Sequence, residues 1–554
     1  MKNFLNIPLF ACCLLSLKGL SQEKQTADPG TLKSSLSKVW IADNGDGTYK
    51  NPILHADYSD PDAIRVGDDY YMTASSFNCM PGLPILHSKD LVNWNLIGYA
   101  LKKQVPVEVF DVPMHGKGVW APSIRYRNGE FLIYYPDPDY GIYLIKTKDI
   151  KGEWSKPQLV LPGKGIIDPA PFWDEDGKAY LAVAWAGSRA GVNSLLTLYS
   201  MNAAGDKVID EGRNVYSGHD YNHTIEGPKL YKKDGFYYIF APAGGVATGW
   251  QLVLRSKKIY GPYDEKIVMD QGSSVVNGPH QGAWLETPKG ESWFLHFQDK
   301  GAYGRVVHLQ PMKWVNNWPV IGNDPDGDGK GEPVLNWKKP VVAKNYPLAT
   351  PPESDEFNDS SLGLQWQWHA NPKVTWSFLN QKKGVLRMFS VPQPLNAVNL
   401  WPSPNLLLQK FPAENFSATT KIKLSIEWDV WQGKKAGLLI MGNDYSYLSI
   451  GKNESGYLVQ QVICNNALTN EAEKVLVSVP VKTGEVYLRV EVKGPDAKCA
   501  FSFSEDGINY IPIGDNFVAK PDKWIGAKVG LFCNSRPDVR TGSFADVDWF
   551  RVDK

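Results

Sequence analysis

Short apolar runs rich in β-branched and aromatic residues, each introduced by a polar turn with glycine, recur five times. The phrases are RVGDDYYMTAS (65–75), YRNGEFLIYYP (126–136), DEDGKAYLAVAW (174–185), KKDGFYYIFAP (232–242) and PKGESWFLHF (288–297). Asn-Gly and Asp-Gly supply the positive φ of tight hairpin turns, so each phrase predicts strand, turn and strand. The turn glycines are spaced by 62, 48, 58 and 55 residues: Gly67, Gly129, Gly177, Gly235 and Gly290. Because each spacing suits a four-stranded sheet with its loops, we expect a five-bladed β-propeller over residues 45–337.

A proline-containing connector, KKPVVAKNYPLATPPESDEF (338–357), follows this region. In residues 358–554, runs such as TTKIKLSIEW (419–428) alternate apolar and polar positions, which predicts antiparallel strands. We therefore expect a lectin-like β-sandwich and an all-β protein. Trp366 and Trp368 would share one face of a strand, as core residues do, which favours a packing role over an independent carbohydrate-binding module.

The first 21 residues, MKNFLNIPLFACCLLSLKGLS, combine a lysine, an apolar stretch and small residues near a cleavage position. They predict a signal peptide (1–21) followed by an N-terminal extension (22–44), and a location in the periplasm or outside the cell. The tetrapeptide Leu-Phe-Ala-Cys at 9–12 resembles a lipoprotein box, but the apolar region before it is short, so lipidation is the less favoured alternative. No other segment approaches the ~20 apolar residues that a membrane span needs.

Charge and cysteine content narrow the class of protein. The chain has 59 basic and 59 acidic residues and no basic block, which argues against nucleic acid and anionic membranes as partners. Beyond the predicted leader there are four cysteines, without metal-ligand spacing and too few for a disulfide framework. Aromatic residues make up 12% of the chain, which suits both sugar stacking and the packing of large sheets.

Five chemically active residues stand at matching offsets before the turn glycines. They are Asp60, Trp120, Asp168, Glu226 and His280, seven to ten residues ahead of their glycines. Since the innermost strands of a propeller all run the same way, these positions should converge on one mouth of the central channel. Asp57 and Asp62, which flank Asp60, are interpreted as a loop and a turn residue.

Three carboxylates in one pocket do not titrate alike, because burial and like charges raise at least one pKa. A protonated carboxyl can donate to a leaving oxygen while an ionised one accepts a proton from water, so the natural chemistry is acetal hydrolysis. A tryptophan at the same mouth offers a stacking surface for a sugar. The pattern thus predicts a glycosidase.

Several motifs in order resemble glycoside hydrolase family 43, in particular its β-xylosidase and α-L-arabinofuranosidase types. They are SDPDAIRVGDDYYM (59–72), HSKDLVNW (87–94), GVWAPSIRY (118–126), IIDPAPFWDEDGKAYL (166–181) and HTIEGPKLY (223–231). The C-terminal region, with its closing GSFADVDWFRV (542–552), resembles the sandwich of longer members, which can lend a loop that narrows the active-site mouth.

The resemblance implies a role for each acid. Asp60 matches the general base that activates water, and Glu226 matches the general acid. Asp168 matches a third acid that tunes the pKa of the general acid and orients the substrate. Members invert anomeric configuration, so the base and acid should lie roughly 6.5–9.5 Å apart.

Further residues match substrate contacts: Phe77, Trp120, Arg305 and His280. No cofactor is implied, but His280 matches a histidine that in many relatives lies beside a calcium ion or water in the channel, so a structural calcium there is a further expectation. The acidic loop NDPDGDGKGEP (323–333) also echoes a calcium loop, although Asx-turn chemistry explains such clusters without a metal.

The expected activity is exo-acting, inverting removal of terminal pentosyl residues from hemicellulose-derived oligosaccharides, such as arabinoxylan or arabinosylated xyloglucan fragments. Cys79 and Met80 stand where xylosidases of this type often carry aromatic wall residues, which favours α-L-arabinofuranosidase over strict β-xylosidase activity. Fructan-cleaving enzymes fit poorly, since Ser-Asp-Pro-Asp replaces their Asn-Asp-Pro-Asn start. A non-catalytic glycan-binding propeller would have lost one acid, whereas all three are present.

Overall fold

The computed structural model describes residues 36–539 and 542–554, so the predicted leader (1–21) lies outside the described residues. Nearly all regular structure is β-strand. The exceptions among the described residues are one short helix, α1 (Gly187–Ala190), and two single 3₁₀ turns. None of the described helices has the length and apolar character to cross a membrane.

Strand β1 (Thr48–Lys50) precedes five four-stranded antiparallel sheets, each made of consecutive strands. Blade 1 holds β2 (Asp62–Val66), β3 (Asp69–Thr73), β4 (Gly82–Ser88) and β5 (Trp94–Leu101). Blade 2 holds β6 (Ser123–Arg127), β7 (Glu130–Asp137), β8 (Gly141–Thr147) and β9 (Gln158–Pro162). Blade 3 holds β10 (Ile166–Trp173), β11 (Ala179–Trp185), β12 (Leu195–Met201) and β13 (Arg213–Ser217). Blade 4 holds β14 (Lys229–Lys233), β15 (Phe236–Ala243), β16 (Trp250–Ser256) and β17 (Asp264–Met269). Blade 5 holds β18 (His280–Glu286), β19 (Ser292–Asp299), β20 (Arg305–Val315) and β21 (Trp318–Ile321).

The repeat predicted from the sequence is the blade, and the five-bladed propeller is confirmed. All five turn glycines have positive φ, between 63° and 83°, and lie between the first two strands of their blades. The ring is closed by chain segments from its two ends: Leu54 exchanges backbone hydrogen bonds with Val307 of β20, and β1 pairs with β22 (Asn336–Lys338). Closure leaves few free sheet edges, which favours a stable ring.

The C-terminal region is a β-sandwich of two eight-stranded sheets, as expected. Its strands are β23 (Gln367–Trp368), β24 (Ser377–Asn380), β25 (Val385–Phe389), β26 (Val391–Pro392), β27 (Leu407–Lys410), β28 (Phe416–Ser425), β29 (Lys435–Met441), β30 (Tyr445–Asn453), β31 (Gly456–Cys464), β32 (Lys474–Val481), β33 (Glu485–Lys493), β34 (Lys498–Ser504), β35 (Ile511–Pro512), β36 (Phe517–Val518), β37 (Lys528–Ser535) and β38 (Phe544–Asp553). Trp366 and Trp368 are buried in its core, which fits the packing role.

The sandwich is hydrogen-bonded to the propeller through backbone groups. Met80 exchanges two backbone hydrogen bonds with Trp368, at 2.9 and 2.6 Å, and the Asn371 N–H donates to the Phe110 carbonyl. The Ala527 N–H donates to the Ala302 carbonyl beside blade 5. The last of these contacts fixes the loop between β36 and β37 at the propeller surface.

One buried carboxyl of blade 2 makes stability depend on pH. Burial raises the pKa of Asp137 to about 7, although the Asp139 N–H and the Gln104 amide donate to it. Between pH 3.8, the ordinary pKa of the group, and about pH 7, the folded chain holds a proton that the unfolded chain has lost, so stability falls as pH rises.

We expect Asp137→Asn to be more stable than the wild type, with a difference in the free energy of unfolding that grows by about 2 kcal/mol from pH 5 to pH 8 in urea unfolding. The exposed Asp234→Asn change is the control, and a gap independent of pH would refute this interpretation.

Candidate active site

The five residues predicted to converge lie at the starts of the innermost strands. Asp60 and Trp120 shortly precede β2 and β6, Asp168 is the third residue of β10, Glu226 shortly precedes β14 and His280 begins β18. Contacts join three of them across blades: the His280 ring nitrogen Nε2 lies 2.8 Å from Glu226 Oε1, and the N–H next to Glu226, that of Gly227, donates to Asp168 at 2.7 Å.

Local backbone irregularities aim two of the acids. Asp60 and Asp168 have φ of 55° and 56°, in the left-handed region that non-glycine residues seldom occupy. The pairing of β10 with β11 is interrupted at Asp168, between Ile167 and Ala170. Such strain and bulges are typical of positions where a side chain is turned toward a functional site.

Hydrogen-bond donors contact both oxygens of the Asp60 carboxylate. The Ser59 and Ser75 hydroxyls donate to its Oδ2 at 2.8 and 2.5 Å, and Arg305 Nη1 lies 3.1 Å from Oδ1. Arg305 is nearly buried, packs over Phe297 with its guanidinium 4.8 Å from the ring centroid, and also donates to Ser59. Asp60 is thereby fixed in orientation, with its negative charge met by a guanidinium.

Asp168 is almost fully buried, with 1% of its surface exposed. Burial, and next the negative charge of Glu226, raise the pKa of Asp168 well above its ordinary value, and Asp60 adds to the effect. The Gly227 N–H acts in the opposite direction. The charges of Glu226 and Asp60 therefore both act on Asp168.

Glu226 is the most accessible of the three acids, with 31% of its side chain exposed. Its Oε1 lies 2.8 Å from Nε2 of the fully buried His280, while the side chain as a whole keeps access to solvent. Glu226 is thus held by His280 and remains accessible to a ligand.

His280 offers one nitrogen, Nδ1, that is buried and has no hydrogen-bond partner. Calcium prefers six to eight oxygen ligands. Among the described residues, no group of three His, Cys, Asp or Glu ligand atoms within 4.8 Å includes His280. The side chains around it therefore do not fit a protein-built calcium site.

The aromatic wall is built from both domains. Trp120 is half-buried, donates from Nε1 to the Gly116 carbonyl, and lies with its ring 6.2 Å from that of Trp524, which sits in the sandwich loop between β36 and β37. Arg189 covers Trp120 at 5.3 Å. Phe77, expected to contact substrate, is only 2% exposed and packs behind Trp120 with Ile525. Trp524 is 45% exposed and was missed by sequence reasoning, because no repeat relates it to the propeller.

Two aspartates beside Asp60 have larger roles than the sequence indicated. Asp62 is not a turn residue: it begins β2, is fully buried, and accepts hydrogen bonds from the Ile124 N–H and from Arg125 of blade 2. Asp57 does lie in a loop, but it joins the domains, since it accepts the N–H groups of Arg305 and Gly526 at 2.9 and 3.0 Å. Asp57 thus connects Arg305, which binds Asp60, to the sandwich loop that carries Trp524.

A buried cation beneath the acids was also missed. Lys229 of β14 is 1% exposed and donates to the Ser123 hydroxyl at 2.9 Å. Burial lowers the pKa of Lys229, while Asp62, Asp168 and Asp60 raise it. Strand β14 reads KLYKK, so no local pattern distinguishes Lys229 from the other two lysines of the strand.

Cys79 and Met80, which were expected to replace aromatic residues of the pocket wall, do not line that wall. Met80 is fully buried in the blade core and hydrogen-bonded to Trp368, and Cys79 is 1% exposed behind Phe77. The reason is that the strand-like pairing with the sandwich turns this segment inward. These two residues therefore do not shape the open pocket.

A propeller mouth with three carboxylates, a guanidinium and a tryptophan wall defines a glycoside hydrolase. The chain belongs to glycosyl hydrolase family 43, which residues 49–319 match, and residues 354–553 match the beta xylosidase C-terminal concanavalin A-like domain. A beta-xylosidase of Formosa agariphila is 34% identical over 98% of this chain and 96% of its own length. A non-reducing end alpha-L-arabinofuranosidase of Bacteroides ovatus is 28% identical over 91% of this chain and 94% of its own. The solved xylan beta-1,4-xylosidase of Bacillus halodurans C-125 superposes with a TM-score of 0.80 at 26% identity, over 91% of this chain and all of that one.

Proposed function

We propose that this enzyme is an exo-acting, inverting pentosidase that releases terminal β-D-xylosyl residues from hemicellulose-derived oligosaccharides, with terminal α-L-arabinofuranosyl residues as the second candidate. The observation that carries the proposal is the convergence of Asp60, Asp168 and Glu226 at a mouth narrowed by Trp524. The predicted leader supports export to the periplasm or beyond as part of the same proposal.

In the proposed mechanism, Asp60 takes a proton from water as the water attacks the anomeric carbon. Its carboxylate, held by Ser59, Ser75 and Arg305, cannot turn away from that water. Glu226 gives its proton to the departing glycosidic oxygen on the opposite side of the sugar ring. Water adds as the leaving group departs, so the configuration inverts, provided the two carboxyls stand roughly 6.5–9.5 Å apart.

Asp168 acts through position and charge. It anchors the Glu226–Gly227 peptide by accepting the Gly227 N–H, and its burial next to Glu226 keeps a proton in this part of the pocket. The scheme needs only these side chains and water.

Exo action is supported by the Trp524 loop. Because Asp57 binds the Gly526 N–H and Ala527 binds the Ala302 carbonyl, the loop is fastened over one side of the mouth. A long chain cannot pass through a pocket closed on that side, whereas a chain end can enter it. Trp120 and Trp524 together offer ring surfaces on which a sugar stacks.

The preference between the two pentoses rests on two observations. The argument for arabinofuranosides relied on Cys79 and Met80 as wall residues, and both are buried. Similar proteins are more often named for xylosidase than for arabinofuranosidase activity. We therefore favour the β-xyloside.

The test is a comparison of kcat/KM on nitrophenyl β-D-xylopyranoside and nitrophenyl α-L-arabinofuranoside. We expect the xyloside to be preferred by at least about tenfold, which corresponds to about 1.4 kcal/mol of differential transition-state binding. An equal or greater rate on the arabinofuranoside would contradict the preference for the β-xyloside. If the folded protein hydrolysed neither substrate, the proposed pentosidase activity would be refuted.

Replacement of Trp524 tests the exo pocket separately. Trp524→Ala should raise KM for xylobiose about tenfold with little change in kcat, since a stacking surface worth about 1 kcal/mol or more is lost without touching the acids. The matched control is Trp428→Ala, an 82% exposed tryptophan in another sandwich loop. A wild-type KM in the Trp524 variant would show that this residue does not bind substrate.

A further inference from the structure

A second cluster of chemically active side chains lies where the two domains meet. One ring nitrogen of His115, one of His369 and one carboxylate oxygen of Asp522 lie within 4.8 Å of one another. His115 comes from the propeller loop between β5 and β6, whereas His369 and Asp522 come from the sandwich. All three are nearly buried: the side chains of His115 and Asp522 are 6% and 4% exposed, and His369 is 1% exposed.

Backbone carbonyls determine which nitrogens of the two histidines carry a proton. His115 Nε2 lies 3.0 Å from the Trp401 carbonyl, and His369 Nδ1 lies 3.1 Å from the Ser403 carbonyl. A carbonyl oxygen only accepts, so each of these nitrogens must be an N–H donor. In these neutral tautomers the nitrogens without a proton are His115 Nδ1, which faces Asp522, and His369 Nε2.

Those two nitrogens are left in a state that the protein alone does not satisfy. His115 Nδ1 faces Asp522 Oδ2 at 2.8 Å, and two bare acceptors at that distance repel. His369 Nε2 is buried and has no hydrogen-bond partner. A second proton on His115 would repair the first contact, but it would leave His369 Nε2 unsatisfied. A metal ion bound by His115 Nδ1, His369 Nε2 and Asp522 would satisfy all three at once.

We propose that His115, His369 and Asp522 bind a zinc ion. Two imidazole nitrogens and a carboxylate suit zinc or a similar first-row metal, whereas calcium prefers oxygen ligands. Histidine ligands commonly donate their other N–H to a backbone carbonyl, as both do here. Tetrahedral ligands at about 2.0–2.1 Å from a metal are about 3.4 Å apart, so binding would move Asp522 back from His115 by about 0.5 Å and bring all three ligand atoms, now within 4.8 Å of one another, to that spacing.

The surroundings give the site a structural purpose. Trp401 stacks on the His115 ring with centroids 3.6 Å apart, which fixes that ring. Gly116, next to His115, accepts the Trp120 indole N–H, and Trp524 is two residues from Asp522. A metal here would tie the two tryptophans of the active-site mouth to each other through their loops.

The experiment uses the full chain without a histidine tag, freed of metal by a chelator and then titrated with zinc chloride against a chromogenic zinc indicator. We expect one equivalent of zinc to bind with micromolar or tighter affinity and to raise the temperature of unfolding by a few degrees. His369→Gln and Asp522→Asn should each weaken zinc binding by at least about tenfold.

Two variants serve as matched controls. Asp326→Asn alters an exposed residue of the acidic cluster Asp324, Asp326 and Asp328, whose oxygens also lie within 4.8 Å of one another, and His219→Gln alters an exposed histidine. Both should keep full zinc binding. The proposal is overturned if the wild type binds no zinc, or if the His369 and Asp522 variants bind it as well as the wild type does. Since wild-type uptake alone can refute it, the proposal does not depend on the variants folding.

Discussion

Asp60→Asn is expected to lower turnover by about 10⁴-fold, on aryl pentosides and on xylo-oligosaccharides alike. An amide accepts hydrogen bonds but does not take a proton from water, so the attacking water is no longer activated. Every substrate needs that water, whatever its leaving group. The Ser59 and Ser75 hydroxyls, which both donate to Oδ2, would still hold an amide oxygen at that position, so we expect the fold to survive.

The measurement is kcat on nitrophenyl β-D-xylopyranoside and on xylobiose, with circular dichroism and thermal unfolding to verify the fold. Asp68→Asn, an exposed turn aspartate eight residues away, is the matched control and should keep wild-type rates. Retention of more than about 1% of activity by a folded Asp60→Asn enzyme would rule out its role as the base, because base catalysis contributes about 10²–10⁴-fold.

Glu226→Ala is expected to give losses that depend on the leaving group. An alkoxide from xylobiose departs only with a proton, so its release should slow about 10³-fold or more. A dinitrophenolate leaves without protonation, so the same variant should lose about tenfold or less on the dinitrophenyl xyloside. This split separates a proton donor from a residue that merely shapes the pocket.

The control for this series is Glu175→Ala, an exposed glutamate of blade 3. It should leave both substrates at wild-type rates. Similar losses on both substrates in the Glu226 variant would assign Glu226 to binding and leave the proton donor to be found elsewhere.

The propeller could be predicted because its information is local and repeated. Gly67, Gly129 and Gly235 each follow or precede polar turn residues, and their positive φ is a requirement of the hairpin itself. The same counting found Asp60, Asp168 and Glu226, since residues at equivalent strand starts meet wherever the blades close into a ring. The periodic pattern therefore predicted both the fold and the positions of the three acids.

What the sequence could not show depends on contacts between the domains. Trp524 reaches the mouth only because the sandwich is fastened to the propeller by Asp57 and by the Met80–Trp368 pairing. The Met80–Trp368 pairing also turns Met80 inward, so the identity of this residue does not indicate which sugar the pocket prefers. Neither contact repeats, and each joins residues hundreds of positions apart, so no pattern along the chain reports it.

The buried charges beneath the acids were invisible for a related reason. Asp62 resembled a turn aspartate, and its partner Arg125 belongs to the next blade. Lys229 follows the recognised acid Glu226 by three residues, but its ammonium group is buried against the Pro122 carbonyl and the Ser123 hydroxyl of the distant blade 2 segment. Charge neutralisation in a channel is a property of the closed ring and not of any one strand.

The central claim is hydrolysis with inversion by Asp60 and Glu226, and proton NMR of the first-formed sugar tests it most directly. With a β-D-xyloside, this mechanism predicts that α-xylose appears first and that the β-anomer grows only as mutarotation proceeds. Appearance of β-xylose before the α-anomer would mean that a nucleophile and a glycosyl-enzyme intermediate take part, and would contradict the assignment of Asp60 as a base acting through water.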